Sequence, residues 1–184
     1  MTCIIGLVEK GHVYMGGDSI AVSDWDMERL RPQKVFQVGD YLIGCAGSAR
    51  MTQLLQFELE MPPQDNKLSD YAYMVTVFTE KVRTLFRDKG YSEVKDQRES
   101  GGPFLVGYRG QLYSVQGDFS VLQLRDTFTA LGCGSSYAMG AMSALRDAPP
   151  KKRIRKALKA AAHFSIGVVG PFYVLSLSRK KEGA

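Results

Sequence analysis

The chain has 184 residues and a formal net charge of +5, with 45% hydrophobic and 23% charged residues. This balance is typical of a soluble globular protein with one sizeable core, and it excludes an intrinsically disordered chain. No apolar run is long enough to span a bilayer, and the first residues lack the basic leader and cleavage site of a signal peptide. The sequence therefore predicts one domain over residues 1–184, a cytoplasmic location and no membrane association.

The first half of the chain predicts two β-hairpins followed by two helices. The predicted strands, each bounded by turn residues, are 2–9, 12–18, 34–38 and 41–46. Residues 19–33, which include Trp25, are polar and are expected to form a loop. The predicted helices begin at serine caps and run over 48–61 and 69–89, ended by Pro62-Pro63 and by Gly90.

The second half predicts more strands and then two further helices. Residues 91–101 are polar and are expected to form a loop. The predicted strands are 103–108, 111–115, 119–124, 127–132 and 172–178, and the predicted helices are 135–147 and 150–164. Each sheet can bury one face against helices and the other against the second sheet, so the expected fold class is α+β, a four-layer αββα sandwich.

Cysteine and histidine usage predicts neither a metal site nor a cofactor. The three cysteines lie far apart in sequence, without metal-ligand spacing, and suit a reducing cytoplasm. The two histidines are too few for a histidine-rich metal site and argue against a histidine-based catalytic triad.

Basic residues crowd the C-terminal part of the chain. They are Lys151, Lys152, Arg153, Arg155, Lys156, Lys159, Arg179, Lys180 and Lys181. A basic stripe can bind nucleic acid or another polyanion, but no aromatic residues interleave with these charges as they would in a single-strand binder. The solvated outer face of a helix is the favoured interpretation, and nucleic acid binding is not expected.

The hairpins predict that three side chains with complementary chemistry meet. With a turn centred near Lys10, Thr2 lies opposite Asp18 on the same side of the sheet. Lys34 begins the next hairpin, beside the turn that leads through Gly47 to the helix cap Ser48. Backbone N–H groups at such a turn favour negative charge, so the parts needed for acyl transfer are present. Composition alone leaves open that Asp18 is only a turn residue.

The segments TCIIGLVEKGHVYMGGDS, KVFQVGDYLIGCAGSAR and ALGCGSSYAMGAM resemble proteasome β subunits and their bacterial relatives, which are N-terminal-nucleophile hydrolases. The resemblance covers nearly the whole chain and is to a divergent branch, of a bacterial or phage type. Its most specific element is spacing, because Asp18 lies 16 residues after Thr2 and Lys34 lies 32 after it. The family's catalytic threonine, aspartate and lysine keep those separations.

The resemblance implies a threonine peptidase. Removal of Met1 would expose Thr2 as the nucleophile, with its own α-amino group as the base. Lys34 would promote ionisation of the hydroxyl, Asp18 would hold Lys34, and the Gly47 region with Ser48 would stabilise the oxyanion.

Supporting and specificity residues also follow from the resemblance. The GSG serine of many members is replaced here by Cys133, and the supporting aspartate and serine near the last helix correspond to Ser165 and Val168, so Ser135 or Ser165 would have to substitute. The specificity-pocket positions correspond to Ala21, Pro32, Phe36, Ala46 and Arg50. Phe36 and Ala46 suggest an apolar pocket, whereas Arg50 suggests acceptance of an acidic group; Phe36 is equally well interpreted as a core residue.

The expected partners come from the same resemblance. They are identical subunits in a ring, a polypeptide substrate and, as a candidate, an ATPase unfoldase. Two other functions remain open at this point: a catalytically silent scaffold or shell subunit, and an amidase acting on a small molecule.

Overall fold

The computed structural model describes residues 1–23, 26–31, 33–65 and 67–179, so the predictions that fall on Trp25 and Pro32 lie outside the described residues. The strands are β1 Ile4–Glu9, β2 His12–Gly17, β3 Ile20–Ser23, β4 Asp26–Arg29, β5 Val35–Val38, β6 Tyr41–Cys45, β7 Glu93–Lys95, β8 Arg98–Ser100, β9 Phe104–Tyr108, β10 Gln111–Val115, β11 Val121–Gln123, β12 Phe128–Leu131 and β13 Tyr173–Ser178. The helices are α1 Ala49–Phe57, α2 Asp70–Tyr73, a π-helical turn at Met74–Phe78, α3 Thr79–Asp88, α4 Ser135–Ala144 and α5 Pro150–Phe164.

Two antiparallel sheets carry most of the strands. A four-stranded sheet has the order β12-β1-β2-β13, and a five-stranded sheet has the order β11-β10-β9-β6-β5. Two short hairpins, β3-β4 and β7-β8, form separate two-stranded ribbons. The chain is thus a mixed helix and sheet protein, and the predicted strand order in the two main hairpins is confirmed.

Three hydrophobic clusters hold these elements together. One joins the five-stranded sheet to α1–α3 and includes Tyr73, Phe78 and Phe104. A second joins the four-stranded sheet to α4 and α5. The third contains residues of both sheets, among them Met15 and Leu42. Alternate residues of each strand supply the two faces of a sheet, as the period of two requires.

Two segments predicted to be loops are hairpins instead. Residues 19–33 contain β3 paired with β4, and residues 91–101 contain β7 paired with β8. Every residue of β4 is exposed, and so is every residue of β7, so neither strand shows the alternation of apolar and polar residues that reveals a half-buried strand. Backbone pairing within the ribbon, rather than burial, defines these strands.

The first two predicted helices begin at the predicted residues. The first one is shorter than predicted, and the second one is interrupted by the π-helical turn. Ser48 and Ser69 cap α1 and α2 through side chains that accept backbone N–H bonds. The predicted first helix ends early, with Glu58 as its C-cap instead of continuing to Met61. The predicted second helix contains the π-helical turn, in which the Thr79 hydroxyl donates to the Met74 carbonyl.

The π-helical turn follows from the spacing of the buried residues. Met74, Phe78, Val82 and Phe86 are each fully buried and recur every four residues. An α-helix has 3.6 residues per turn, so a strict spacing of four drifts around the helix. One wider turn takes up part of that drift and keeps the four side chains on the core face.

No helix in the described ranges combines the length and apolar character needed to cross a membrane.

Gly140 offers a stabilising substitution in α4. A Cβ atom added there meets nothing within 4 Å. Because glycine inside a helix is less favourable than alanine by roughly 0.5–1 kcal/mol, we expect Gly140→Ala to raise the free energy of unfolding by about that amount. Urea unfolding followed by circular dichroism measures the change, and an unchanged or lower midpoint would contradict the expectation.

Candidate active site

The register of the first hairpin differs by one residue from the predicted one. Ile4 pairs with Gly17, so Asp18 lies opposite Cys3 and not opposite Thr2. The reason is the two-residue turn at Lys10 and Gly11, whose φ values of 51° and 74° are those of a type I′ turn. Such a turn is centred between these two residues instead of on Lys10.

Asp18 nevertheless reaches the end of β1 through its side chain. Its Oδ1 accepts the N–H of Cys3 at 2.8 Å, and its Oδ2 accepts the N–H of Ile20 at 3.3 Å. Only 1% of Asp18 is exposed. Burial, reinforced by the Asp18 carboxylate, raises the pKa of the Cys3 thiol to about 12. The Cys3 thiol is therefore neutral at physiological pH and contributes no nucleophile.

Lys34 connects Asp18 to Thr2. Its Nζ donates to Asp18 Oδ2 at 2.7 Å and to Thr2 Oγ1 at 2.7 Å. Thr2 is 3% exposed, and 11% of the Lys34 side chain is exposed. The structure thus brings hydroxyl, ammonium and carboxylate into one largely buried chain of hydrogen bonds.

The second hairpin fixes where Lys34 stands. The turn at residues 39–40 pairs Val35 with Gly44, and the Cys45 N–H donates to the Lys34 carbonyl at 2.9 Å. Lys34 therefore lies beside the chain that leaves β6, as the sequence predicts.

Gly47 and Ser48 follow β6 and open α1. Gly47 has a φ of 119°, a conformation that side-chain-bearing residues rarely adopt. Its N–H donates to no acceptor within the described residues and is free for a ligand. The Ser48 hydroxyl accepts the N–H groups of Arg50 and Met51, so it is occupied as a helix cap.

Cys133 lies against the backbone of Thr2. The Thr2 N–H donates to Cys133 Sγ at 3.3 Å, and the thiol donates to the Thr2 carbonyl at 3.4 Å. Ser165 Oγ lies 3.5 Å from the same sulfur, while Ser135 starts α4 and donates its N–H to the Gly132 carbonyl. Val168 is fully buried in the core cluster of the four-stranded sheet.

Met1 occupies the space in front of Thr2. Its carbonyl accepts from Thr2 Oγ1 at 2.5 Å and from Lys34 Nζ at 3.2 Å. Its side chain packs where a Cβ on Gly167 would stand. With Met1 attached, the Thr2 nitrogen is an amide and cannot accept a proton.

A cleft of about 240 Å³ opens beside Thr2, Lys34 and Gly47. Its other lining residues come mainly from β3 and α1 and are Met1, Ile20, Ala21, Val22, Leu30, Gln33, Cys45, Ala49, Thr52, Gln53, Gln56 and Phe57. The wall is largely apolar, and among its described residues Lys34 carries the one charged side chain, so the cleft suits an uncharged group.

The predicted specificity residues divide between the cleft and other places. Ala21 lines the cleft. Phe36 packs in the core cluster beneath α1–α3, and Ala46 in the cluster shared by the two sheets. Arg50 is exposed in the first turn of α1 and does not line the cleft.

Sequence reasoning missed most of the cleft wall. Ile20 and Val22 lie on β3, in a segment that was expected to be a loop. Ala49, Gln53 and Gln56 lie on the face of α1 away from its buried residues. Their spacing of three to four residues is the signal that could have identified this face.

No group of three or more histidine, cysteine, aspartate or glutamate side chains that could hold a metal ion occurs among the residues that the structure describes.

Comparison with solved structures shows that the chain has the fold of the proteasome β-subunit type, which confirms the resemblance at the level of fold. BPH of Thiobacillus denitrificans, solved alone and in complex with epoxomicin, is 22% identical with a TM-score of 0.79, over 98% of this chain and 100% of that chain. HslV from Trypanosoma brucei is 20% identical with a TM-score of 0.67, over 96% of this chain and 99% of that chain. No family model matches the sequence, and no curated protein matches it.

Proposed function

We propose that this chain is a threonine-type peptidase whose nucleophile, Thr2, becomes the N-terminal residue when Met1 is removed. The observation that carries the proposal is the chain of hydrogen bonds from Asp18 through Lys34 to Thr2 Oγ1, with both links at 2.7 Å. The cleft lies beside Thr2 and is lined in part by Met1, so removal of Met1 would give a substrate access to the hydroxyl. Hydroxyl, cation, carboxylate and a free N–H are the parts required for acyl transfer.

The reaction begins with a proton transfer. A free α-amino group has a pKa of roughly 7.7–8.0, so at pH 7 roughly a tenth of it is unprotonated and can accept the proton of Thr2 Oγ1, directly or through a water, and this fraction rises with pH. The Lys34 ammonium beside the oxygen lowers the cost of the negative charge that develops there. Asp18 balances the charge of Lys34 and holds it in line.

Acyl transfer then follows in two balanced halves. Thr2 Oγ1 attacks the carbonyl carbon of a substrate amide, and the oxyanion receives the N–H of Gly47. The α-amino group returns the proton to the leaving amine as the C–N bond breaks, which leaves an ester on Thr2. Water, activated by the same amine, hydrolyses the ester and frees Oγ1.

Supporting roles fall to the residues around the Thr2 backbone. Cys133 holds Thr2 through bonds to its nitrogen and carbonyl, and Ser165 contacts Cys133. We assign both to positioning, with Ser135 anchoring the turn before α4. Ala21, Pro32, Phe36, Ala46 and Arg50 remain predictions as specificity residues, and the apolar wall of the cleft supports an uncharged substrate side chain.

The same proposal includes the architecture and the assembly. The three hydrophobic clusters support a four-layer αββα arrangement within one domain over residues 1–184. A closed ring of identical subunits would enclose the sites and restrict them to unfolded polypeptide, which an ATPase unfoldase would deliver. The ring and the unfoldase are proposed from the likeness of the fold to the solved structures.

The test uses a peptide epoxyketone, because BPH of Thiobacillus denitrificans was solved with epoxomicin. An epoxyketone has two adjacent electrophilic carbons, so a hydroxyl and an α-amino group on one residue can close a ring with it. We expect intact-protein mass spectrometry to show a chain without Met1 that gains one epoxomicin mass. Thr2→Ala, which keeps the α-amino group and loses the hydroxyl together with the γ-methyl group, is the control and should gain none. Retention of Met1 with no adduct would overturn the proposal.

A scaffold or shell subunit is the second candidate. The contacts of the Met1 carbonyl with Thr2 Oγ1 and Lys34 support it, because in a chain that kept Met1 the hydroxyl would be hydrogen-bonded to the protein's own backbone and the amine would be absent. A protein that keeps Met1 and assembles equally well as wild type and as Thr2→Ala would fit this function.

A further inference from the structure

A cavity of about 260 Å³ lies between the β11–β12 turn, the end of α4 and the first turns of α5. Its lining residues are Arg125, Asp126, Thr127, Phe128, Arg146 and Arg153. It shares no lining residue with the cleft at Thr2. Three guanidinium groups around one cavity are not explained by the proposed peptidase activity.

Arg153 is the anchor of this cavity. The sequence predicted that it lies on the outer face of its helix with the other basic residues, but it is only 5% exposed. Its position, four residues before Ala157 and one before Ile154, puts it on the buried stripe of α5. Its guanidinium carbon lies 4.8 Å from the centre of the Phe128 ring, a cation–π contact with another residue of the cavity lining.

The hydrogen bonds of Arg153 leave donors unused. Nε and Nη2 both donate to the Met142 carbonyl, at 2.9 and 2.6 Å. A guanidinium has five N–H donors, so the remaining three have no protein acceptor within the described residues. No carboxylate there forms an ion pair with Arg153, and a buried charge without such a partner is costly.

The neighbouring charges add to that cost. Burial lowers the pKa of Arg153, and the positive charge of Arg146 lowers it further, while Glu9 opposes the shift. Arg125 and Arg146 are exposed and form no hydrogen bond or ion pair in the part of the chain that the structure describes. Asp126 is the one acid among the described lining residues, so these residues together carry an excess of two positive charges.

We propose that this cavity binds a phosphate-type oxyanion, free or as the phosphoryl group of a nucleotide. Guanidinium groups match such oxyanions because their planar donors bind two oxygens at once. The Thr127 hydroxyl supplies a further donor. The cavity is several times larger than the roughly 30 Å³ that one water occupies in the liquid, so a tetrahedral anion fits with waters around it. The site is independent of whether Thr2 is a nucleophile.

The experiment measures thermal unfolding of the full chain in sodium phosphate against sodium chloride at matched ionic strength. A ligand that binds only the folded state, at a hundredfold excess over its Kd, raises Tm by about 5–10 °C for a chain of this size. We expect a saturable increase in wild type and at least a tenfold weaker phosphate affinity in Arg146→Gln and in Arg125→Gln. Both substitutions are at exposed positions, so the variants should fold. Asp126→Asn should bind phosphate more tightly, because it removes the acid from the lining.

The control is Arg98→Gln, an exposed arginine on β8 with the same loss of charge, which should respond to phosphate as wild type does. Repeating the titration with ADP separates the two sources: a response at lower concentrations of ADP than of phosphate identifies a nucleotide, and the reverse identifies free phosphate. A phosphate response no larger than that to chloride, or one that is equal in wild type and both arginine variants, would overturn the proposal. So would a change in oligomeric state in Arg146→Gln without any phosphate response, because the cavity would then be a contact between protein chains.

Discussion

Lys34→Met is expected to slow epoxomicin adduct formation by about 10³-fold, within the range for loss of a group that assists proton transfer and stabilises developing charge. The ammonium lies 2.7 Å from Thr2 Oγ1, and the structure gives the hydroxyl no other cationic partner among the described residues. Methionine keeps an unbranched apolar stem, one atom shorter than the lysine side chain, while it removes the charge. The adduct rate is measured by intact mass against time.

The same substitution also tests the energetic role of the ion pair. Asp18 is 1% exposed, so removal of Lys34 leaves a buried carboxylate whose remaining partners are two backbone N–H groups. Breaking a buried pair costs about 3–5 kcal/mol, which urea unfolding should detect. Adding Asp18→Asn removes the uncompensated charge, so the double variant should recover part of the stability and none of the adduct rate.

A matched control separates these effects from a general loss of charge. Lys81 is exposed on α3 and forms no hydrogen bond or ion pair with a described residue, so Lys81→Met should keep both stability and adduct rate. A folded Lys34→Met protein that forms the adduct at the wild-type rate would remove Lys34 from the mechanism.

The sequence predicts the position of Lys34 better than that of Asp18, for a physical reason. The pairing of Val35 with Gly44 follows from a turn whose residues, Gly39 and Asp40, are clear from composition. The first turn consists of Lys10 and Gly11, and both residues adopt a positive φ. A positive φ at a lysine cannot be predicted from residue type alone, so the centre of this turn was misplaced by half a residue. A shift of one residue exchanges the faces of a strand. The Asp18 side chain still reaches Lys34 because it follows the end of β2.

What the sequence cannot predict is the set of contacts made by segments without a periodic apolar pattern. The cleft wall depends on β3, whose pairing with the fully exposed β4 leaves no alternation to read. The burial of Arg153 was not predicted for a different reason. Charged residues are rarely fully buried unless paired, so Arg153 was assigned to the exposed basic face of α5. At this position the helical spacing of the buried residues predicts burial correctly, whereas the residue type predicts exposure.

Gly132→Ala is expected to slow epoxomicin adduct formation, although Gly132 is not part of the hydrogen-bonded chain Asp18–Lys34–Thr2. Gly132 has a φ of 98°, and a Cβ added to it would overlap the Thr2 carbonyl oxygen. The obstacle is backbone, which cannot move aside as the end of a side chain can. Thr2 would therefore shift relative to Lys34, and a misplacement of about 1 Å can cost about 10²-fold in rate. We also expect a loss of about 1–3 kcal/mol in unfolding free energy from the strained φ.

Gly39→Ala distinguishes displacement of Thr2 from backbone strain. Gly39 also has a positive φ, of 53°, but a Cβ there meets nothing within 4 Å. It should therefore lose stability like Gly132→Ala and keep the wild-type adduct rate. If Gly132→Ala also keeps that rate while folded, the position of the Thr2 backbone does not control the chemistry. A lower rate in Gly132→Ala alone would instead show that the turn before α4 sets the distance between nucleophile and lysine, because both variants place a side chain at positive φ and only the one at Gly132 meets Thr2.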